Sequence, residues 1–282
     1  MIVLELQGRL GNQLFEIFTL ISAAIETQQS FAVYLKPIGT NNSYWDTLFK
    51  KMYPRHVFST KLRPKFIHND NFLSFVHLLH GYRGFVCQIN GFFQKLVYME
   101  KHFDTIYQFL EFPELREQVC KKVSKQMPFI TNWGQTISMH FRLGDYLSQQ
   151  ESYPVMPYQY YFDALKYIVR SYLKVKQIIY FCEVNDLFIV NPMIQKLSEA
   201  FPQLEFYKII DGLQDWEELF AMSCCKHHII ANSTFSWWGA YLNQPFDYRT
   251  VCYPSLWVGP KLKKTFNVDG AFPDSWTKIQ VN

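Results

Sequence analysis

The sequence predicts an α/β protein built from two Rossmann-like halves that face one another across a cleft. Short apolar runs of strand length alternate with segments whose apolar residues recur at helical spacing, which is typical of parallel sheets covered by helices. With 282 residues, the chain is long enough to give each half its own core. Ligands of such sheets bind at the carboxyl ends of the strands, so the segments that follow strands are candidate sites.

The two halves are predicted to meet near residues 126–135, where the stretch KQMPFITNWG brings proline, asparagine and glycine together. This boundary gives an N-terminal domain of residues 1–130 and a C-terminal domain of residues 131–282. The first domain opens with a β-α-β unit made of a strand at Ile2–Leu6, a helix at Gln13–Glu26 and a strand at Phe31–Leu35. Strand and helix patterns alternate less clearly over residues 40–130, and the helices expected there lie near Phe72–His80 and Pro113–Lys125.

The C-terminal domain alternates strands and helices more clearly. The predicted strands are Thr136–Phe141, Gln177–Cys182, Leu204–Ile209, His228–Ala231 and Thr250–Tyr253. The predicted helices are Pro157–Leu173, Pro192–Ala200, Trp216–Cys224 and Phe235–Leu242. This order of elements indicates a parallel sheet with helices on both faces.

Composition and charge narrow the classes of protein. Hydrophobic residues make up 49% of the chain and charged residues 18%, which is typical of a globular protein and excludes a disordered one. The net charge of +4 fits a small anionic ligand but lacks the dense basic stripe of a nucleic-acid-binding protein. We therefore expect no nucleic-acid partner. Aromatic residues reach 18%, mostly in the core, and some can line a groove for sugar rings.

Neither a signal peptide nor an integral membrane segment is predicted, because no basic stretch precedes an apolar one at the N-terminus and no run of 18 apolar residues occurs. The six cysteines form no C-x-x-C pair, and several lie in apolar runs. Reduced, buried thiols in an intracellular protein are therefore expected. We expect a cytoplasmic protein, in a bacterium or the host cell of a virus, that can also lie peripherally at a membrane. The oligomeric state is not indicated.

Three segments that follow predicted strands carry the residues of a candidate site. The first is GRLGNQ, in which Gly8 and Gly11 lie between a strand and a helix. Glycines in this position let backbone N–H groups approach an anion at the positive end of a helix dipole. Arg9 adds charge, and Asn12 adds a side-chain donor. The pattern differs from the G-x-G-x-x-G fingerprint, and a glycine turn needed only for tight packing fits it equally well.

The second segment is MHFRLGDY, at the end of the strand TISMHF. The two-residue period of a strand places His140 and Arg142 on one face. The planar guanidinium of Arg142 offers a fork of donors suited to a phosphate, and Asp145 can orient it. An ordinary strand end with a salt bridge is the simpler alternative.

The third segment is IIANSTFSWWGAYLN, which joins a strand to a helix. Asn232, Ser233 and Thr234 supply amide and hydroxyl groups at the start of this helix, and Ser236 lies in its first turn. These residues can cap the helix or bind an anion, because both roles use the same geometry. The segment alone does not separate the two roles.

Taken together, GRLGNQ, HFRLGDY and ANSTFSWWGAYLN, in this order, resemble the bacterial-type α1,2-fucosyltransferases and, more distantly, the α1,6- and protein O-fucosyltransferases. The resemblance extends to MSCCKH and PDSWTKI, and it is diffuse over residues 40–130. It implies the GT-B arrangement of two facing Rossmann-like domains, with the first domain on the acceptor side and GDP-fucose bound to the second. It also implies an inverting transfer of L-fucose from GDP-β-L-fucose to a glycan hydroxyl, α1,2 to a terminal galactoside.

No metal or other cofactor is implied by this resemblance, and the absence of a D-x-D motif agrees with it. The diphosphate would then be stabilised by protein donors, chiefly by Arg142. The glycine segment would help, and its residues are Gly8, Arg9, Leu10, Gly11, Asn12 and Gln13. The hydroxyl-rich segment would complete the phosphate site, and its residues are Asn232, Ser233, Thr234 and Ser236.

Guanine is expected to contact an acidic residue five positions before the serine of the M-S motif in related enzymes. Counting back from Ser223, this residue is Glu218, where the family usually has aspartate. His140 is the second candidate for a contact with the base. The resemblance thus places both the nucleotide and the sugar in the C-terminal domain.

Two positions depart from the family pattern. Leu143 replaces the second arginine of H-x-R-R-G-D, so either one arginine suffices or Arg9 or another cation substitutes. The usual F-S-D-D stretch appears as FCEVND, which keeps acidic residues at Glu183 and Asp186 with altered spacing.

A carboxylate is the expected general base for the acceptor hydroxyl. The sequence offers Asp145 and Glu151. Related α1,6 enzymes use a glutamate a few residues beyond the H-x-R motif, close to the position of Glu151. Asp145 can instead brace Arg142, and the sequence does not choose between these roles.

Other functions fit the sequence less well. A nucleotide-sugar-binding protein without activity is the main alternative because of Leu143, and an acceptor other than galactose stays open because residues 40–130 are diverged. A nicotinamide-dependent oxidoreductase would need a third glycine, and a lectin would leave the three segments unexplained. The pairs His227-His228 and His77-x-x-His80 lack companion ligands, so no metal site is predicted.

Overall fold

The computed structural model describes residues 1–34, 44–52, 57–58, 65–67, 72–172, 174–243 and 248–281. The chain divides into two compact units. The first unit comprises Met1–Leu115 with Asp269–Phe272, and the second comprises Arg116–Val268 with Pro273–Asn282. Leu35 and Leu173, at the predicted ends of a strand and a helix, lie outside the described residues.

The first unit contains a five-stranded parallel sheet with the strand order β3-β2-β1-β5-β4. Its elements in chain order are β1 (Ile2–Glu5), α1 (Leu10–Thr27), β2 (Phe31–Tyr34), β3 (Val57–Phe58), β4 (Lys65–Ile67), α2 (Phe72–Gly81), β5 (Cys87–Ile89), α3 (Phe103–Phe109) and α4 (Phe112–Gln126). Apolar residues surround α1, so that helix is buried along nearly its whole length. It begins three residues earlier than predicted, because the amides of Asn12 and Gln13 both donate to the Arg9 carbonyl.

The division between the units falls inside helix α4, earlier in the chain than the predicted boundary at residues 126–135. At the start of this helix, Phe112 packs against Phe18 and Tyr107 of the first unit. From Arg116 onward the helix contacts the second unit: the Arg116 guanidinium donates to the Ser223 carbonyl at 2.8 Å. The division is therefore set by the side-chain contacts made along one continuous helix. The proline- and glycine-containing stretch at residues 126–135 does not indicate this position.

The second unit contains a six-stranded parallel sheet with the strand order β11-β10-β9-β6-β7-β8. Its elements are β6 (Thr136–His140), α5 (Tyr158–Ser171), β7 (Gln177–Phe181), α6 (Leu187–Ala200), β8 (Glu205–Lys208), α7 (Asp215–Cys224), β9 (His227–Ile229), α8 (Thr234–Tyr241), β10 (Val251–Pro254) and β11 (Thr277–Ile279). Read from β8, this is the 3-2-1-4-5-6 order of a Rossmann sheet. Every residue of β6 and β7 is buried, as expected for central strands covered on both faces.

Several elements differ from the sequence prediction for local reasons. Helix α6 begins at Leu187, and Pro192 lies inside it, although proline is most often found at the first turn of a helix. The strands β3, β4 and β5 have only two or three residues each, too short for a periodic pattern. Strand β11 lies beyond the last predicted strand. All six cysteines are free thiols, as predicted, and all but Cys120 are buried.

Candidate active site

The order of strands in the second unit creates a switch point between β6 and β9. From β6 the chain proceeds to β7 and β8 on one side, and it then returns to β9 on the other side of β6. Ligands of open α/β sheets bind outside the carboxyl ends of the strands at such a point. The segment after β6 begins at Phe141, and the segment after β9 leads to Thr234 at the start of α8. Two of the three predicted segments therefore meet at one edge of this sheet.

Arg142 is held at this edge by two carboxylates. Its side chain is only 14% exposed, its Nη1 donates to Glu183 Oε1 at 3.0 Å, and its Nη2 pairs with Asp145. The guanidinium carbon also lies 4.9 Å from the ring centroid of Tyr146, in a cation–π contact. A guanidinium has five N–H donors, and the two carboxylates accept from different terminal nitrogens, Glu183 from Nη1 and Asp145 from Nη2. It can therefore bind a further anion without losing its orientation.

His140, at the carboxyl end of β6, is a buried neutral imidazole. Its burial, helped by the nearby charge of Arg142, lowers the pKa of His140 to about 3. Its ring lies 5.6 Å from the ring of Phe235 in α8, and its carbonyl accepts from the Tyr161 hydroxyl at 3.1 Å. The buried Nδ1 has no hydrogen-bond partner within the described part of the chain. Because buried polar atoms in proteins are normally paired, this nitrogen is a candidate contact for a ligand.

The segment between β9 and α8 uses much of its polar character within the protein. The Asn232 amide donates to the carbonyls of Pro154 and Trp257 at 3.0 and 3.1 Å, which ties three segments together. The Ser233 hydroxyl caps α8 by accepting from the Phe235 amide, and the fully buried Ser236 hydroxyl donates to the Ser233 carbonyl. Thr234, the first residue of α8, is half-buried. The helix terminus is thus rigidly built and directs its positive dipole end to the edge that carries Arg142.

Glu218 lies in α7, and burial raises its pKa to about 7. The charge of Lys208 opposes this rise, while the carboxylates of Asp215, Asp211 and Glu183 add to it. Lys208 is itself paired with Asp211. Glu218 therefore accepts or donates a hydrogen bond at neutral pH with little change in free energy, and both roles suit the edge of a base.

The structure adds Tyr146 and Tyr153, which the sequence did not single out. Tyr146 donates to the Asn232 carbonyl at 3.2 Å, stacks on Tyr153 with ring centroids 5.0 Å apart, and faces Arg142. Leu143, at the position where the family has a second arginine, is buried in the core of this unit. No local sequence pattern indicates these contacts, because they depend on how the turn after β6 folds back against the segment after β9.

Glu151 lies in an exposed turn that packs closely against a later segment. Its carbonyl accepts from the Lys261 amide at 3.0 Å, and the Gly259 amide donates to the Ser152 carbonyl at 2.8 Å. A Cβ atom at Gly259 would lie 2.3 Å from the Glu151 carbonyl oxygen. The absence of a side chain at position 259 therefore determines where the Glu151 turn lies.

Replacing Gly259 by alanine is expected to lower the free energy of unfolding by about 1–3 kcal/mol, because the new methyl group meets backbone atoms that cannot rotate away. Urea unfolding followed by far-ultraviolet circular dichroism, which reports the helices of both units, measures this loss. Gly81→Ala is the matched control, since a Cβ there meets nothing within 4 Å. Equal stabilities of the two variants would contradict the close approach.

The glycine segment of the first unit lies at the carboxyl end of β1, the central strand of its sheet. Leu10, Gly11, Asn12 and Gln13 form the first turn of α1, and Arg9 precedes them as an exposed residue. Gln13 Nε2 donates to the Gly8 carbonyl at 3.0 Å, and Gln94 Nε2 donates to Asn12 Oδ1 at 3.0 Å. The segment is therefore a helix start held by two side-chain amides.

Neither a metal cluster nor a membrane span is found in the described ranges of the chain. Within those ranges, no group of three or more His, Cys, Asp or Glu side chains is placed to hold a metal ion. His228 instead contacts Ser138 and Asn243, both at 2.7 Å. No described helix is long and apolar enough to cross a bilayer.

Comparison with known proteins agrees with this architecture. The model of the family described as glycosyl transferase family 11 matches residues 1–246. The O-antigen biosynthesis glycosyltransferase WbnK of Escherichia coli is 27% identical over 253 residues, covering 87% of this chain and 74% of that protein. An alpha-1,2-colitosyltransferase of Escherichia coli is 24% identical over 296 residues, covering 99% of both chains.

Among solved structures, a glycosyl transferase of family 9 from Veillonella parvula matches with a TM-score of 0.54 at 13% identity. The match covers 99% of this chain and 86% of that one. At this identity the likeness concerns the fold alone, and it confirms the predicted class of an α/β, GT-B-like glycosyltransferase fold. The family match extends over most of the chain and includes the segments after β1, β6 and β9. The chain therefore belongs to glycosyl transferase family 11.

Proposed function

We propose that this glycosyltransferase is an inverting fucosyltransferase that moves L-fucose from GDP-β-L-fucose to a glycan hydroxyl without a metal ion. The acceptor we propose is a terminal galactoside, and the linkage α1,2. One observation carries the proposal: Arg142 is held by two carboxylates at the switch point of a Rossmann-order sheet, on the same edge as the start of α8.

The chemistry of this edge suits a departing nucleoside diphosphate. Cleaving the bond between fucose and phosphate leaves negative charge on the diphosphate, and fixed donors stabilise that charge most in a site that excludes water. Arg142 can fork across two phosphate oxygens, and α8 directs its positive end to the same place. His140, neutral and buried, can contact the base or a phosphate oxygen, and Glu218 can pair with the N–H groups of guanine.

The structure favours different roles for the two candidate bases. Asp145 pairs with Arg142, so we assign it to bracing the guanidinium. Glu151 has an exposed side chain in a turn fixed by Gly259, so we assign it as the carboxylate that accepts the proton of the acceptor hydroxyl. Attack from the face opposite the diphosphate then inverts the configuration at the sugar carbon.

A second donor sugar is favoured by one specific observation. The relative that matches this chain from end to end is named an alpha-1,2-colitosyltransferase. Colitose is therefore the alternative to fucose, with the same proposed linkage. The phosphate site would serve both donors, so the choice between them depends on contacts to the sugar.

One transfer experiment tests the proposal. Purified protein is offered GDP-fucose, or a colitosyl nucleotide, with a panel of galactosides, rhamnosides and xylosides, and the new linkage is located by NMR. We expect fucose α1,2-linked to a terminal galactoside. Transfer from the colitosyl donor alone would replace the fucose assignment. Incubation with GDP-fucose without an acceptor separates an enzyme from a binding protein, because only an enzyme slowly hydrolyses the donor.

Transfer is expected to be unchanged by EDTA, because the proposed site stabilises the diphosphate with protein donors. The measurement compares initial rates with EDTA, with added Mg²⁺ and with added Mn²⁺. Activity that disappears in EDTA and returns with Mn²⁺ would contradict the metal-independent scheme.

A further inference from the structure

The turn after β6 has a conformation that its own residues do not explain. Phe141 and Leu143 are buried in the core. Arg142 lies between them in the chain, and its side chain contacts that of Asp145, two residues after Leu143. Gly144 has φ of 46°, in the left-handed region that favours glycine. A turn of this kind needs a partner that fixes it, because its direction decides where the guanidinium of Arg142 lies.

Asp186 supplies that partner. Its carboxylate oxygens lie 3.2 and 3.3 Å from the Gly144 amide, which donates to them, and the residue is only 4% exposed. Asp186 occupies the N-cap position of α6 but makes no side-chain hydrogen bond to that helix, although capping its own helix is the usual use of aspartate there. The carboxylate instead contacts a segment 42 residues earlier in the chain.

Burial makes this arrangement costly for the folded protein. Removing a carboxylate from water is unfavourable unless hydrogen bonds compensate, and burial does raise the pKa of Asp186, with the Gly144 amide opposing the rise. The charged groups that act on it are Arg142, Asp145 and Glu183. The hydrogen bonds that compensate this cost come from the Gly144 amide, so the position of the carboxylate is tied to the turn after β6.

The short segment that contains Asp186 also contacts the guanidinium of Arg142. Glu183, three residues before Asp186, accepts from Arg142 Nη1 at 3.0 Å. A Cβ atom at Gly144 would lie 3.5 Å from both carboxylate oxygens of Glu183. The segment 183–186 therefore holds the backbone of the β6 turn through Asp186 and its arginine through Glu183.

We propose that Asp186 is a positioning residue that fixes the turn after β6 so that Arg142 faces the diphosphate of the donor. Asp186 does not touch the nucleotide; it acts through the Gly144 amide. This inference rests on the proposed function, because it presumes that a nucleoside diphosphate binds at Arg142. The altered spacing of the acidic residues in FCEVND then has a physical role. Glu183 holds the side chain of Arg142, and Asp186 holds the backbone of the β6 turn at Gly144.

The test measures the affinities of the purified protein for GDP and for GMP by calorimetry. The preference for GDP over GMP reports the contact with the second phosphate, whereas a general loss of structure weakens both nucleotides alike. Asp186→Ala is expected to lower this preference at least about tenfold, since Arg142 is then no longer held in place for its charge-assisted contact with the second phosphate. Asp186→Asn keeps an oxygen that accepts from Gly144, so it is expected to retain most of the preference.

Glu217→Ala is the matched control, because Glu217 is also a buried carboxylate that accepts from a backbone amide, that of Gln214 at 3.0 Å. We expect this control to leave the preference for GDP unchanged. If Asp186→Ala is too unstable to measure, Gly144→Ala disturbs the same contact from the other side and is expected to lower the same preference.

The outcomes separate this inference from the proposed function. A wild-type protein without a preference for GDP over GMP would contradict the phosphate site itself. A wild-type preference that survives in Asp186→Ala, or that falls as much in Glu217→Ala, would overturn the positioning role alone.

Discussion

Replacing Arg142 by lysine is expected to lower the rate of transfer at least about 100-fold, the size of effect seen when one donor to a developing negative charge is removed. Lysine keeps the positive charge but concentrates it on one ammonium group, which cannot fork across two phosphate oxygens. It also cannot reproduce the planar contact with both Asp145 and Glu183 that orients the guanidinium here. The proposed guanine contacts do not involve Arg142, so this variant should still bind GDP, but more weakly than the wild type does.

The measurement is kcat with GDP-fucose and a galactoside acceptor, together with GDP affinity by calorimetry. Arg170→Lys is the matched control, because Arg170 is an exposed residue near the end of α5 and its replacement should leave both quantities unchanged. Turnover of Arg142→Lys close to that of the wild type would remove the main support for the proposed site.

A steep loss of stability on acidification is the second large effect that we expect. Three buried histidines of the second unit are kept neutral by the fold: burial lowers the pKa of His140 to about 3 and of His227 to about 4, and it holds that of His228 well below 6.5. In the unfolded chain these groups titrate near the ordinary value of about 6.5. Their contribution is therefore present above about pH 6.5 and is lost as the pH falls below it.

The surroundings of His228 show why the folded protein resists the proton. Asn243 Nδ2 lies 2.7 Å from His228 Nε2 and also donates to the carbonyls of Cys225 and Lys226, so its two amide hydrogens are shared among three acceptors. His228 Nε2 is then an acceptor, and Nδ1–H donates to the Ser138 hydroxyl at 2.7 Å. A proton on Nε2 would meet the amide hydrogens of Asn243 in a fully buried site, so His228 stays neutral.

The titration of Glu218 changes the stability with pH in the opposite direction to that of the three histidines. Burial raises its pKa to about 7, so between about pH 4.5 and 7 the folded protein binds this proton and the unfolded chain does not. Its contribution is present at low pH and is lost as the pH rises through about 7. Three protons taken up by the unfolded chain against one by the folded protein give a net difference of about two, or about 2.7 kcal/mol of stability lost per unit of pH below 6.

Urea unfolding at several pH values between 7 and 5, followed by tryptophan fluorescence, measures this slope. The signal reports the second unit, because every tryptophan except Trp45 lies there. His228→Gln is expected to halve the slope, since one of the two net protons disappears. His77→Gln, at an exposed histidine of α2, should leave the slope as it is in the wild type. A free energy of unfolding that stays constant from pH 6.5 to 5 would contradict the prediction.

The amino-acid sequence by itself determined the class of fold and the edge of the sheet that carries the site in the second unit. Alternating apolar runs and helical patterns predicted parallel sheets, and the strand β6 was expected where it lies. Polar segments after two strands predicted a common site, because parallel strands present their carboxyl ends at one edge. These inferences depend only on residues that are close to one another in the chain, so the sequence alone was enough to draw them.

Only the tertiary structure decided which segments pair with which. It brought Glu183 to Arg142, Asp186 to Gly144 and Tyr146 to Asn232, and it directed Leu143 into the core. It also placed the division of the chain inside α4 and added strands too short to show a period. The physical reason is the same for each: periodicity reveals which face of an element is buried, whereas partners distant in the chain are chosen by the packing of the whole unit.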